Sequence, residues 1–324
     1  MPTGILSFGG YIPRARLSRK AIAAANAWFN PGLKGLAKGE RAMANWDEDV
    51  VTMAVEAGRA CLSGQARENL RGVYMASTTY PFLDRQNAGI AAEALNLKGD
   101  LLALDIASSQ KAGTSALSLA LESAGASGPL LVLAAEKRQL KAATPQEMTA
   151  GDAAAALLVG EGEPVARLVG RHNRSVDFVD HFRSAGQPYE YHWEERWVRD
   201  EGYMKLVPEA LKQALSLARV EPTRVTHFCL PMPTKRVATG IASKLGIYPD
   251  AVRDPLHAGC GDSGTAHPLL MLVHALEEAA PGDMILVAGF GQGCDALLFE
   301  VTEAITAHRE RRSVSAALES GRVE

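Results

Sequence analysis

The run Asp105-Ile106-Ala107-Ser108-Ser109-Gln110-Lys111-Ala112-Gly113-Thr114-Ser115-Ala116 turns a short apolar strand directly into a helix of small residues. A side chain at such an elbow sits over a helix N-terminus, where unpaired N–H groups and the macrodipole stabilise negative charge. Gln110 holds that place. Outward from it, hydrophobic periodicity predicts a strand at 4–11, a helix at 47–62, a strand at 72–77, a helix at 85–95, the elbow strand at 101–107 and its helix at 111–125. Two strands at 130–135 and 153–159 close this half. The second half repeats the order: strand 165–170, helix 203–218, strand 226–230, helix 236–245, a short segment near Val252, helix 268–279 and strands 284–288 and 296–301.

A period of about 160 residues is too long for a solenoid and fits a duplicated α/β unit. The expected units are an N-terminal half at 1–164, a C-terminal half at 165–306 and a charged tail at 307–324. Helices 111–125 and 268–279, rich in Ala, Gly, Ser and Leu, take equivalent central places, where small side chains allow close packing between sheets. The alternative is an ordinary doubly wound domain with helices on both faces.

Composition narrows the function classes. With 324 residues and 47% hydrophobic content the chain can bury a large core. Lys plus Arg total 34 against 37 acids, a formal charge of -3, so no nucleic-acid surface is expected. No apolar run reaches the ~18 residues of a membrane span, and Met1 to Leu6 do not open a secretory signal. A cytoplasmic protein without membrane partner is expected. Cys61, Cys229, Cys260 and Cys294 include no CxxC pair, so neither disulfide framework nor metal site is predicted.

Two segments interrupt the rhythm. Residues 28–46 read as a long glycine-containing loop of a functional or interfacial kind. Residues 181–200 mix Tyr189, Tyr191, Trp193 and Trp197 with charges, as interface anchors do. A charged helix with an aromatic core stripe reads equally well. The basic tail with Arg309, Arg311 and Arg312 is expected to be a solvated helix.

Taken in order, several motifs resemble the thiolase superfamily, specifically 3-hydroxy-3-methylglutaryl-CoA synthases and ketoacyl synthase III enzymes. They are Phe8-Gly9-Gly10-Tyr11-Ile12-Pro13-Arg14, Trp46-Asp47-Glu48-Asp49, the Lys111-Ala112-Gly113-Thr114 elbow helix, Gly151-Asp152-Ala153-Ala154-Ala155, Gly261-Asp262-Ser263-Gly264-Thr265-Ala266 and Gly289-Phe290-Gly291-Gln292-Gly293. The resemblance implies an α/β thiolase-like fold: two duplicated βαβαβαββ halves in five layers with buried central helices. It also implies a coenzyme A thioester as substrate, no covalently bound cofactor, and a homodimer or heteromer. Within the family the chain is similar to a subset associated with a zinc-ribbon OB-fold protein, which implies such a partner.

The departures are as informative as the matches. The resemblance puts the nucleophilic Cys at Gln110, the catalytic Glu at Thr78, the active-site Asn at Asp262 and the His near Leu230. Glutamine forms no acyl intermediate, and Ser109 has no evident base. His267, before Pro268, is expected to leave the α region and cap its helix, with the dipole lowering its pKa. Candidate catalytic residues are therefore Gln110, His267 and Asp262, with Thr78, Ser109, Cys260 and Cys294 as further pocket candidates. His257 reads as a surface or packing residue. Lys235 and Arg236, at a helix start after Pro233, are the coenzyme A candidates by resemblance and by phosphate affinity for such ends.

Two functions follow. One is carbon–carbon chemistry on an acyl-CoA, Claisen, retro-Claisen, aldol or decarboxylative, with Gln110 polarising the carbonyl. The alternative is a catalytically degenerate subunit that positions a thiolase-like partner and an OB-fold protein.

Overall fold

The computed structural model describes residues 1–232 and 234–323. In the first half, β1 (Thr3–Tyr11) leads through β2 (Ala15–Ser18), α1 (Arg19–Asn26) and β3 (Glu40–Ala42) to α2 (Val50–Cys61). There follow β4 (Gly72–Ala76), α3 (Asn87–Ala94), β5 (Leu102–Ile106), α4 (Ala112–Ser127), β6 (Leu130–Glu136), α5 (Pro145–Thr149) and β7 (Ala153–Glu161). The second half opens with β8 (Ala166–Ser175), a ribbon of β9 (His181–Phe182) and β10 (Tyr191–His192), and the short α6 (Glu195–Trp197). It continues through α7 (Met204–Ala218), β11 (His227–Cys229), α8 (Lys235–Leu245), α9 (His267–Glu278), β12 (Met284–Phe290) and β13 (Gly293–Val301), then ends in α10 (Ser313–Glu319) and β14 (Arg322–Val323).

Stripped of its insertions, each half runs β-α-β-α-β-α-β-β, the duplication expected from the sequence. One strand is reduced: the segment near Val252 keeps a single parallel bridge to Phe228. The large sheet has the order β11-β12-β13-β8-β1-β7-β6-β4-β5. Its halves meet where β1 and β8 pair only at Gly4 with Arg167 and Ile5 with Ala166. Such a short seam lets the sheet fold over on itself.

Three apolar clusters define the layers. Helices α2 and α3 pack on one outer face through Val51, Met53, Val55 and Ala91, and α7 and α8 on the other through Val207, Leu211 and Ile241. Between the sheet halves lie α4 and α9, whose Ala116, Leu117, Ala120, Leu269, Leu272 and Val273 share one cluster with Phe8, Val132, Val287 and Phe299. Each of these buried leucine, valine and phenylalanine side chains contributes roughly 1.5–3 kcal/mol of transfer free energy. The thiolase-like five-layer arrangement is therefore present.

The first turn of α4 fixes the halves in register. The fully buried Asp295 of β13 accepts from Lys111 Nζ (3.1 Å), Thr114 Oγ1 (3.1 Å), Ser115 Oγ (2.6 Å) and Asn173 Nδ2 (2.8 Å). Gly113 lies so close to the entry of α9 that any Cβ there would collide with the Thr265 carbonyl oxygen.

Several sequence expectations need correction. The loop at 28–46 contains a 3-10 turn, Pro31–Leu36, and β3, whose edge pairs with β2. The tail is docked rather than solvated. Arg311 donates to the carbonyls of Ala60 (2.9 Å) and Cys61 (3.2 Å), which finish α2. Val314 is fully buried, and Glu277 accepts from the amides of Val314 and Ser315 at the start of α10. Charge density misled the sequence reading because the guanidinium satisfies helix-end carbonyls instead of facing water. No helix among the described residues is long and apolar enough to cross a membrane.

Asp295→Ala leaves the Lys111 ammonium buried without its counter-charge and is expected to lower unfolding free energy by about 3–5 kcal/mol. Urea unfolding measures it; the double replacement Lys111→Met, Asp295→Leu should recover most of the loss.

Candidate active site

The elbow leaves β5 with Ser108 in the left-handed region (φ 70°), an uncommon conformation for a residue with a side chain. Ser109 Oγ donates to the Gly291 carbonyl at 2.8 Å, and Thr265 Oγ1 reaches the Ser109 carbonyl at 3.4 Å. Ser109 is thereby tied to the second half and faces no base. Gln110 projects into the junction of the halves. Its Oε1 is buried without a partner, and its Nε2 lies 3.1 Å from His181 Nε2. Gly264, at φ 50°, faces it; a Cβ there would strike Gln110 Oε1.

His181 comes from the ribbon, a source the sequence reading did not anticipate. Segment 177–203 is neither a free helix nor only an outward surface. Phe178 stacks on Trp197 (4.3 Å between centroids) and meets Phe290 edge-on, which fixes its base. Phe182, Tyr191 and Trp193 remain about half exposed on the outside. Inside, His181 Nδ1 lies 3.0 Å from Asp180 Oδ2, and the rings of His181 and His192 stack at 5.6 Å. Burial opposes the Asp180 charge, but the hydrogen bond and charge of His181 outweigh it and hold that carboxyl below its usual range.

A charged chain crosses from the ribbon to the second half. Arg138, after β6, pairs with Glu190 through Nε–Oε1 at 3.2 Å and a second contact at Nη2, and reaches Asp262 Oδ2 at 3.4 Å. His192 Nε2 lies 3.2 Å from Glu190. Asp262 Oδ1 accepts from Gly264 N at 2.9 Å. Burial alone would raise the carboxyls of Glu190 and Asp262; the Arg138 guanidinium reverses this and keeps both depressed.

His267 departs from its expected conformation. It has φ -61° and ψ -44°, inside the helical region, because the turn Gly264–Ala266 delivers the chain already helical and overrides the restriction before Pro268. Its Nδ1 accepts from Ser263 N at 3.0 Å, its Nε2 donates to the Pro255 carbonyl at 2.6 Å, and the ring is fully buried. Burial, rather than a helix dipole, lowers its pKa. His257 is buried too, 4.5 Å from the His267 ring, with both nitrogens unpartnered; burial first and the His267 charge second push it down. Ligand atoms of His257, Asp262 and His267 lie within 4.8 Å of one another. They do not fit a metal centre as they stand, since Asp262 is paired with Arg138 and the His267 Nδ1 lone pair receives an amide proton.

Thr78 meets a carboxylate rather than supplying one. Glu136, fully buried at the end of β6, accepts from Thr78 N (3.2 Å), Thr78 Oγ1 (3.0 Å), Ser77 Oγ (3.3 Å) and Thr79 Oγ1. Cys260 and Cys294 are buried; Cys260 Sγ donates to the Leu256 carbonyl at 3.3 Å, and burial pushes its thiol up to about 12. Cys294 belongs to the outer cluster against α7 and α8. Lys235 and Arg236 are exposed at the start of α8, while the adjoining Pro233 falls outside the described residues. The carboxylates and the cation missed by sequence reading, Glu136, Glu190 and Arg138, carry two signals: a charged run placed directly after an apolar strand, and an acid set among aromatics.

This fold and this junction define a thiolase-like protein. Solved structures agree in fold: an HMG-CoA synthase complexed with CoA superposes with a TM-score of 0.84 at 19% identity, covering 100% of this chain and 88% of that one. The 3-oxoacyl-[acyl-carrier-protein] synthase III of Aquifex aeolicus gives 0.80 at 21% identity, covering 92% and 99%. In sequence the chain is 30% identical over 316 residues to the hydroxymethylglutaryl-CoA synthase of Methanopyrus kandleri, spanning 95% of this chain and 90% of the relative. It is 29% identical over 323 residues to that of Methanosarcina barkeri, spanning 96% and 92%. The chain belongs to the hydroxymethylglutaryl-CoA synthase family. No protein-family model matches it.

The depressed carboxyls of Glu190 and Asp262 set a pH dependence. A lowered folded-state pKa gives stability that is present above the unfolded value near 4 and is lost as pH falls through the folded value. Acid titration followed by circular dichroism should show stability falling below about pH 4. Arg138→Gln is expected to lower stability at pH 7 and flatten that acid dependence, because the two carboxyls no longer hold protons less tightly than in the unfolded chain.

Proposed function

We propose that the chain acts on a coenzyme A thioester and makes or breaks a carbon–carbon bond beside its carbonyl without forming an acyl-enzyme. The observation that carries this reading is the Gln110 amide at the elbow, in a junction built from both halves. An amide cannot attack a thioester, but its N–H can stabilise the oxygen of an enolate. Claisen, retro-Claisen, aldol and decarboxylative steps all pass through such an enolate. The substrate class comes from the relatives, named hydroxymethylglutaryl-CoA synthases, and from the fold neighbour complexed with CoA.

The remaining candidates take roles around that amide. Asp262, ionised beside Arg138, holds the Gly264 turn against Gln110, and His267 positions the same turn through Ser263. Thr78 and Ser109 line the approach. Lys235 and Arg236, exposed and in no ion pair among the described residues, meet the coenzyme A phosphates, which suits cations at a helix start. The thioester is a substrate; no covalently bound cofactor or metal enters the reading. We place the protein in the cytoplasm and propose an oligomer. Strand β5 ends the large sheet with Leu102 half exposed, and Phe82 and Leu83 are exposed in the loop after β4.

A second reading, a degenerate subunit seated on a thiolase-like chain and a zinc-ribbon OB-fold protein, draws support from the outward Phe182, Tyr191 and Trp193 of the ribbon. The two separate experimentally. With excess acyl-CoA, the isolated protein should unfold at a higher temperature while its intact mass stays free of an acyl adduct. Gln110→Ala should then lower turnover about a hundredfold. An acyl adduct overturns the enolate reading; absence of any thermal shift across a panel of acyl-CoAs favours the degenerate subunit.

A further inference from the structure

We infer that His181, held by Asp180, is the catalytic base that takes the substrate's α-proton at the elbow. The inference rests on the enolate reading above and assigns it a group from the ribbon inserted into the second half.

The assignment follows from which ring nitrogen or carboxylate a bound substrate can release from its partner. His267 uses both nitrogens on protein partners, Ser263 N and the Pro255 carbonyl. Asp262 and Glu190 are both paired with Arg138, and Glu136 accepts from three hydroxyls and an amide. His257 is buried against the His267 ring. His181 differs. Asp180 sits at 3.0 Å from Nδ1 and fixes the proton there, so the Nε2 lone pair accepts from the Gln110 amide N–H at 3.1 Å, a contact that a thioester oxygen can take over. The carboxylate–imidazole pair is thus aimed at the one amide proposed to hold the carbonyl.

The amide nitrogen has two N–H groups. On binding, the one that faces His181 turns to donate to the thioester oxygen, which frees the Nε2 lone pair for the α-carbon, two bonds from that oxygen. The C–H bond breaks and its proton goes to Nε2. The freed pair becomes the C=C bond as the carbonyl π pair moves onto oxygen, where the Gln110 N–H stabilises it. The imidazolium returns the proton to carbon in the reverse direction, so no further reactant is required.

Charges around His181 suit a transient cation. Asp180 and Glu190 favour it, while His192, stacked at 5.6 Å, and Arg138 beyond Glu190 oppose it. Arg183 Nη2, two residues on, donates to the Thr78 carbonyl at 2.7 Å and fastens the ribbon over the elbow. Asp180 is a positioning residue.

The test follows exchange of the acetyl protons of acetyl-CoA in deuterium oxide by NMR, with binding read from the thermal shift. Wild-type protein should exchange them. His181→Asn, and His181→Gln as a second variant of different length, should bind acetyl-CoA but exchange at least about a hundredfold more slowly. Asp180→Asn should move the acid limb of the rate profile to lower pH, since the imidazolium loses its counter-charge; a merely structural role would scale the profile without moving it. A folded His181 variant exchanging within roughly twofold of wild type overturns this inference alone. Wild-type protein that binds acetyl-CoA and exchanges nothing overturns the enolate reading and this assignment with it.

Discussion

The first turn of α4 is the constraint on which the rest of the structure depends. A single buried carboxylate, Asp295, gathers Lys111, Thr114 and Ser115 from the first half and Asn173 from its own. The contact is expensive to desolvate and depends on all its partners, so it fixes register more than it adds stability. One residue earlier the chain presents Gln110. Whatever residue 110 does, its place is set by a lock between two sheets and not by the loop it sits in. Ser108, in its left-handed conformation, is tolerated because both sides of the elbow are held.

Around that lock, the chemistry is assembled from three sources. The first half supplies an amide and the guanidinium of Arg138, the second half supplies Asp262 and the buried imidazoles, and the ribbon supplies His181, Asp180 and Glu190. Arg138 links all three through its two carboxylates. A cation in that position keeps two acids ionised in a half-dry setting, so the site holds fixed charge of both signs with little exposed to water.

The duplicated order was legible because β-strands and amphipathic helices leave periodic traces, and because Gln110, Asp262 and the glycine segments keep their spacing. The ribbon left no such trace. His181 and Glu190 lie in a stretch without regular period, and their meaning arises only when Phe178, Trp197 and Phe290 stack to fold that stretch inward. Glu136 was hidden differently, as a charge at the end of a strand that otherwise reads as core. His267 was misread in conformation because a local rule about proline was applied where the preceding turn had already set the backbone. The tail failed for a related reason: a count of arginines says nothing about which carbonyls lie within reach.

The docked tail has a consequence for synthesis. Arg311 bonds the carbonyls that finish α2, and Arg322 N donates to the Arg14 carbonyl where β14 joins β2. Residues 311–323 therefore complete a region built from residues 14–61, far earlier in the chain. On the ribosome the early sheet must wait, with one border unfinished, until some 300 further residues have emerged. A chain stopped short of residue 311 would carry nearly every element described above and still lack the seam that closes its beginning.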